Sequence, residues 1–320
     1  MKRLGLWVRR KKRLAGLFVM GDKIQYLALD IKRGGLSVKA MAEVDLEMAP
    51  SQRDVWADPG MLENRMLKIK REVGARWFRS AVLGIQAKDV MVKVIQLPRI
   101  EDGRGLRELF KMDFDKHFPF PASEAVFDVA TIEHPLDAGG DVSYAVAAVS
   151  RSRPVESIIE VCGKVGLMVD AVEPSVMAAF RAMQGPEPPS ERCNLYVMAG
   201  FYSSFIVVSY KNSGILYRNV SYGFGNERPD EDVFVSFARE IYSSANFVTT
   251  QLKGLGVGKI YIGGYGLNYA DEIKEAVSSM TLIPVETVDP WDLWEIDGAP
   301  EERWGWDVTL GLALRGVDDE

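Results

Sequence analysis

The chain states its opening pattern twice. Leu17-Phe18-Val19-Met20-Gly21 is answered by Leu195-Tyr196-Val197-Met198-Ala199-Gly200, and Leu27-Ala28-Leu29 by Ile206-Val207-Val208. Lys32-Arg33-Gly34-Gly35-Leu36 is answered by Lys211-Asn212-Ser213-Gly214-Ile215, and one inserted residue, Ala199, keeps the copies in step. Each copy reads as strand, glycine turn, strand, turn, strand, because apolar runs alternate with residues that let the chain reverse. Agreement in spacing, turn position and apolar side marks a duplicated unit. The expected fold is therefore α/β with two lobes, each opened by a three-stranded meander.

Gln184-Gly185-Pro186-Glu187-Pro188-Pro189-Ser190 separates the copies. Three prolines in four positions cannot lie inside a helix. The sequence thus divides into a basic arm over 1–13, a first lobe over 14–184, a linker over 185–192 and a second lobe over 193–320. In the first lobe, Leu36 to Leu46 alternates as a half-buried strand. Leu62, Met66, Ile69 and Val73 follow helical spacing, as do Leu106, Leu109, Phe110 and Phe114, a helix that must stop before Phe118-Pro119-Phe120-Pro121. Residues 81–85, 90–97 and 144–149 read as strands, and Val155, Ile158, Ile159, Cys162 and Val165 as a helix face closed by Gly166. In the second lobe, a helix through Ile241 and Val248 precedes a strand ending in Gly263-Gly264-Tyr265-Gly266. Residues 289–306 look irregular and hold Trp291, Trp294, Trp304 and Trp306, expected to wrap the second lobe before the apolar Leu310–Leu314 run.

Composition narrows function by exclusion. A chain of 320 residues, 47% hydrophobic, can bury a sizeable core, and its net charge of −6 gives no reason to expect nucleic-acid binding. Two cysteines (Cys162, Cys193) and two histidines (His117, His134), none at ligand spacing, argue against a zinc site and a Ser-His-Asp engine. No stretch reaches the roughly 18 apolar residues of a membrane span. Arg9, Arg10, Lys11, Lys12 and Arg13 precede an apolar run, but Asp22-Lys23 follows without a small-x-small cleavage site. A cytoplasmic chain is expected. Its basic arm is either a solvated tail or an adhesion to anionic lipid, where each cation contributes about 1 kcal/mol. Gly254 to Ile260 imitates a P-loop but has Lys253 where the first Gly belongs and Ile260 where Ser or Thr belongs.

Two meander-plus-helix lobes with a late Gly-Gly turn resemble the actin/Hsp70/sugar-kinase superfamily, whose lobes are RNase H-like units. Glu173-Pro174-Ser175 looks like the helix start leading out of its first lobe, and Gly263-Gly264 like its adenosine-side turn. The resemblance implies that the first hairpin turn of each lobe offers backbone N–H groups to phosphates, and that an Asp two residues before the turn glycine serves Mg²⁺. Those positions here hold Val19 and Met198, and Phe201-Tyr202 puts bulk at the second turn. What the resemblance leaves is a residual nucleotide cleft of Gly21, Gly200, Glu173, Gly263, Gly264 and Gly266. No catalytic residue, metal or cofactor is expected, the alternative being an ATPase that holds ATP and Mg through Glu173 and Asp22.

The order of segments is most similar to the PilM family, the actin-like component of type IV pilus machines, and to the cytoplasmic region of GspL-type secretion proteins. Leu97-Pro98, the helix ending His117-Phe118-Pro119-Phe120-Pro121, Val172-Glu173-Pro174, Gly263-Gly264, Ile283-Pro284-Val285 and Gly311-Leu312-Ala313-Leu314-Arg315-Gly316 carry the match. The resemblance implies a subdomain inserted over about 80–168 and a non-catalytic adaptor peripheral to the inner membrane. Its partner would be the short cytoplasmic tail of a bitopic, PilN-like protein, docked near Phe118, Pro119, Phe120 and Pro121; the same residues read equally as a proline stop with Phe118 and Phe120 plugging the core. Assembly ATPases and self-association are further implied contacts.

Overall fold

The structure, a computed structural model, describes residues 13–32, 35–47, 58–100, 103–137, 139–186, 190–225, 228–252, 255–315 and 317. Arg9 to Lys12 and Glu187 to Pro189 lie outside the described residues, and Arg13 opens the first strand.

Strands β1 (Arg13–Val19), β2 (Lys23–Lys32) and β3 (Gly35–Asp45) form the first meander, followed by α1 (Pro59–Val73) and β4 (Ser80–Ile85). Then come β5 (Val90–Pro98), α2 (Gly103–His117), β6 (Ala125–Ile132), β7 (Val142–Arg151), α3 (Ser152–Lys164), β8 (Met168–Pro174) and α4 (Ser175–Gln184). The second half runs β9 (Cys193–Ala199), β10 (Ser204–Tyr210), β11 (Ser213–Val220), α5 (Glu231–Gln251), β12 (Val257–Gly264), α6 (Ala270–Ser278), β13 (Val285–Thr287), α7 (Pro290–Leu293) and α8 (Asp307–Leu314).

The duplication is visible strand by strand. One sheet has the order β3-β2-β1-β4-β8 and another β11-β10-β9-β12-β13. In both, the meander is antiparallel and the later strands run parallel to its first strand. The outer face of the first sheet is covered by α1 and α3, whose Leu62, Met66, Ile69, Ile158 and Val161 join Leu17, Ile24 and Tyr26 in one core. Helix α1 starts where it does because Asp58 accepts the backbone N–H of Met61 at 2.9 Å and Pro59 occupies the first turn. It ends at Gly74, at φ 57°, where a side chain would be strained. The second sheet is covered by α5 and α6 through Phe237, Ile241, Val248, Ile273 and Val277.

Helices α4 and α8 occupy the space between the sheets. Val176 and Phe180 pack on Val207 of the second sheet, while Ala178 packs with Leu312, Phe18 and Val82 on the side of the first. A Cβ on Gly311 would sit 1.8 Å from the carbonyl oxygen of Ala178, and one on Gly16 would sit 2.4 Å from that of Thr309. These two glycines let α8 lie directly on α4 and β1. Thr309 Oγ1 donates to Gln25 Oε1 at 2.7 Å, both buried, across a sequence separation of 284.

Three expected boundaries need correction. First, α8 belongs to the first sheet, not to the second lobe. Apolar on every side, it has to be covered on all of them. Second, Trp291 and Trp294 wrap the first lobe, packing with Leu27, Leu29 and Leu36, and Asp297 bridges to Ser37 beside β3. Third, the inserted unit is narrower than 80–168. Its own sheet is β5-β7-β6 with α2, spanning 90–151, whereas β4 pairs with β1 and α3 covers the first sheet. Its separate core is built on Phe110, Phe114, Phe118 and Phe127.

Candidate functional site between the lobes

The β1–β2 and β9–β10 turns leave the ends of the two equivalent central strands and meet across the interlobe cleft. They border a cavity of about 580 Å³. Gly21 and Gly200 both line it. The two turns differ in fullness. Nothing lies within 4 Å of a Cβ on Gly21, whereas one on Gly200 would meet the carbonyl oxygen of Ser203 at 2.2 Å. Phe201 packs edge-on to Tyr265 at 5.2 Å, and Gly225 is required beneath it, since a Cβ there would sit 1.9 Å from the Phe201 ring. The Tyr202 hydroxyl donates to Asp22 Oδ2 at 2.7 Å, so one lobe's turn is bonded directly to the other's.

The other expected nucleotide residues are committed elsewhere. Gly264, at φ +71°, abuts the Ala199 carbonyl, Gly266 the Ala199 side chain, and Gly263 Met183 and Val288. None of the three lines the cavity. They let the end of β12 close on β9, a packing role. Glu173 is 4% exposed and also lies off the cavity lining. Both its oxygens are taken by the Arg181 guanidinium, one at 2.9 Å, and Arg315 stands 3.7 Å away. Arg181 also donates to the carbonyl of Gly311 at 3.0 Å, so the pair ties β8 and α4 to α8.

One residue of the cavity has no counterpart in the sequence reading. Asp307, at the start of α8, lines it and is 3% exposed. Its Oδ2 has no hydrogen-bond partner. Burial, reinforced by the nearby Asp289 carboxylate, pushes the Asp307 carboxyl well above the usual range. Asp289 itself is pushed up by burial, against an opposing pull from its contacts with Trp291 N–H and Arg303. Oδ1 of Asp22 and Oγ of Ser175 are likewise buried without a partner, and both residues line the same cavity. Such orphans are rare in folded chains and mark a place where polar capacity is unspent. The signal available in sequence was a lone acid opening an apolar helix; in the run Trp304-Gly305-Trp306-Asp307 it reads as a loop residue.

The cavity lining holds two carboxylates, Asp22 and Asp307, and one cation, Lys88, which pairs with Asp89. No group of three acidic, histidine or cysteine side chains able to hold a metal occurs among the described residues.

The expected partner loop divides. Phe118 is 5% exposed and belongs to the insert's core, so it is withdrawn from contact with a partner. Pro119 and Pro121 are exposed, and Phe120 lies half-buried under the Arg151 guanidinium, 4.6 Å from its ring centre. Lys93 donates to the carbonyl of His117 at 2.7 Å and satisfies the end of α2. The insert also touches the second lobe, through Glu133 N–H to Ser213 Oγ at 3.3 Å and Ile132 against its core.

The family profile of the type IV pilus assembly protein PilM matches residues 16–217. The chain belongs to the PilM family. Among curated proteins no sequence relative was found. A solved PilM-PilN type IV pilus biogenesis complex contains a similar chain, with TM-score 0.75 and 19% identity over 97% of this chain and 99% of that one. The cytoplasmic domain of EpsL, an inner membrane component of the type II secretion system of Vibrio cholerae, is similar with TM-score 0.51 and 12% identity over 96% of this chain and 95% of that one. The PilM-family chain therefore has the actin-like ATPase fold, as its duplicated sheets require. No helix among its described residues is long and apolar enough to cross a membrane.

Proposed function

We propose that this chain is a non-catalytic adaptor of a type IV pilus or related secretion machine, docking the cytoplasmic tail of a PilN-type bitopic membrane protein. The observation that carries the non-catalytic part is the double engagement of Glu173 by Arg181. Of the two first-lobe acids that the fold's metal chemistry could draw on, Glu173 is already paired with Arg181. The Tyr202–Asp22 bond, joining the two turns that the resemblance assigns to phosphates, supports the same reading. Family membership and the PilM-PilN complex support the partner class. The rim of Pro119, Phe120 and Pro121 beside Arg151 is the candidate contact, an apolar edge with one cation, suited to a short extended segment. Through its further surfaces the adaptor would reach assembly ATPases or a second copy.

The test is titration of the chain with the cytoplasmic N-terminal peptide of the PilN-type protein from the same organism. A Kd below about 100 μM is expected, weakened by Pro119→Ala/Pro121→Ala. Absence of binding would remove the tail reading. Submillimolar Mg-ATP binding accompanied by phosphate release would remove the non-catalytic one.

A further inference from the structure

Charge is distributed very unevenly along this chain. Residues 1–13 hold seven cations and no acid, and residues 59–79 hold six cations against two acids. Everything else holds 26 cations against 43 acids. Arg13, the last residue of the first stretch, begins β1 beside the second. Strands β1, β4 and β8 are parallel, so Arg13, Ser80 and Met168 all begin at one edge of the first sheet. The pairing of Gly16 with Val82 places Arg13 and Arg79 level to within a residue, and Met168 N–H donates to the Arg79 carbonyl at 2.8 Å. The end of α1 and its connection to β4 lie at this same pole, with Arg71, Arg76 and Arg79 exposed. None of these three is ion-paired among the described residues. Arg76 and Lys70 also donate to the carbonyls of Val73 and Val165, at the ends of α1 and α3. The acids nearby are Glu72, Asp170, and Glu160, which is paired with Lys164.

Beside the cations stands an apolar side chain with nothing over it: Met168 is 65% exposed. Leu4, Leu6, Trp7 and Val8 intersperse the cations of the segment that enters the fold here. Cations beside an exposed apolar side chain match a lipid headgroup region, which offers phosphate at its surface and hydrocarbon just below.

We infer that this pole of the first sheet, centred on Arg71, Arg79 and Met168, binds an anionic phospholipid surface. The interlobe cavity opens at the opposite strand ends, so the two do not compete. The inference goes beyond tail docking and does not rest on it.

Vesicle co-sedimentation of the full chain tests it. Binding is expected to vesicles with about 30% phosphatidylglycerol, falling to background on pure phosphatidylcholine and at about 0.5 M salt. Arg71→Glu/Arg79→Glu should weaken the partition by at least about tenfold. Arg71→Gln/Arg79→Gln, which leaves the end of α1 without an added acid, should move it in the same direction by less. Thermal melting confirms the fold of each variant, and tail-peptide affinity should be unchanged in both. Equal binding to neutral vesicles would overturn the inference, as would folded variants that bind like the parent. Binding to polyglutamate or single-stranded RNA with none to anionic vesicles would overturn it too.

Discussion

Glu173, before α4, and Asp307, at the head of α8, are buried to the same degree, 4% and 3% exposed, in neighbouring parts of the interlobe layer. Their surroundings differ completely. Glu173 is gripped by Arg181 on both oxygens. Asp307 has an oxygen with no partner and another acid, Asp289, as a charged neighbour. Burial by itself thus says nothing about a carboxylate's role; the partner decides. The paired acid is part of the scaffold, and the unpaired one faces a cavity with its carboxyl pushed up by burial.

The comparison breaks most visibly at Arg181. Arg181→Ala leaves Glu173 buried without its cation and should cost about 3–5 kcal/mol in urea unfolding, while removing both charges in Glu173→Gln/Arg181→Met should cost less. If the double variant were the worse of the two, the pair would not be the scaffold element described.

Asp307 should show itself through pH. Its folded-state carboxyl is raised, so the native state holds a proton that the unfolded chain releases from about pH 4 upward. Native stability gained from Asp307 is therefore greatest below that point and declines as pH rises, by up to about 1.4 kcal/mol per pH unit, until the folded group itself ionises. Asp307→Asn should remove that decline, seen as a flatter difference in urea midpoint between pH 4 and 8. A slope identical in both proteins would contradict the assignment.

The smallest effect belongs to the bond between the turns. Tyr202→Phe removes the hydroxyl that donates to Asp22 and should cost about 1 kcal/mol, less if water replaces it at this half-exposed position. A double-mutant cycle with Asp22→Asn should give a coupling near that value; a coupling of zero would mean the lobes are not tied there.

The meander duplication was legible because strand alternation and glycine turns are local signals, and both sheets carry it. The superfamily resemblance also located Glu173, but not Arg181, because a helix side chain eight residues on looks like any surface cation until α8 covers it. The apolar Leu310–Leu314 run has no periodicity, so nothing in it states which sheet it covers. The insert's limits slipped because β4 and β5 are adjacent apolar strands, and only pairing tells that they enter different sheets. Phe118 carried two readings, plug or contact; α2 and β6 close over it, and that closure depends on contacts distant in sequence.

The seating of α8 on β1 also sets an order of events during synthesis. Leu27 and Leu29 leave the ribosome early, but Leu310, Ala313 and Leu314, which cover them, emerge more than 280 residues later, as the 284-residue span from Gln25 to Thr309 measures. At roughly 5–20 residues per second that interval is on the order of ten seconds to a minute. Throughout it the nascent first lobe presents an open greasy flank, a natural station for a chaperone, and the half made first is the half finished last.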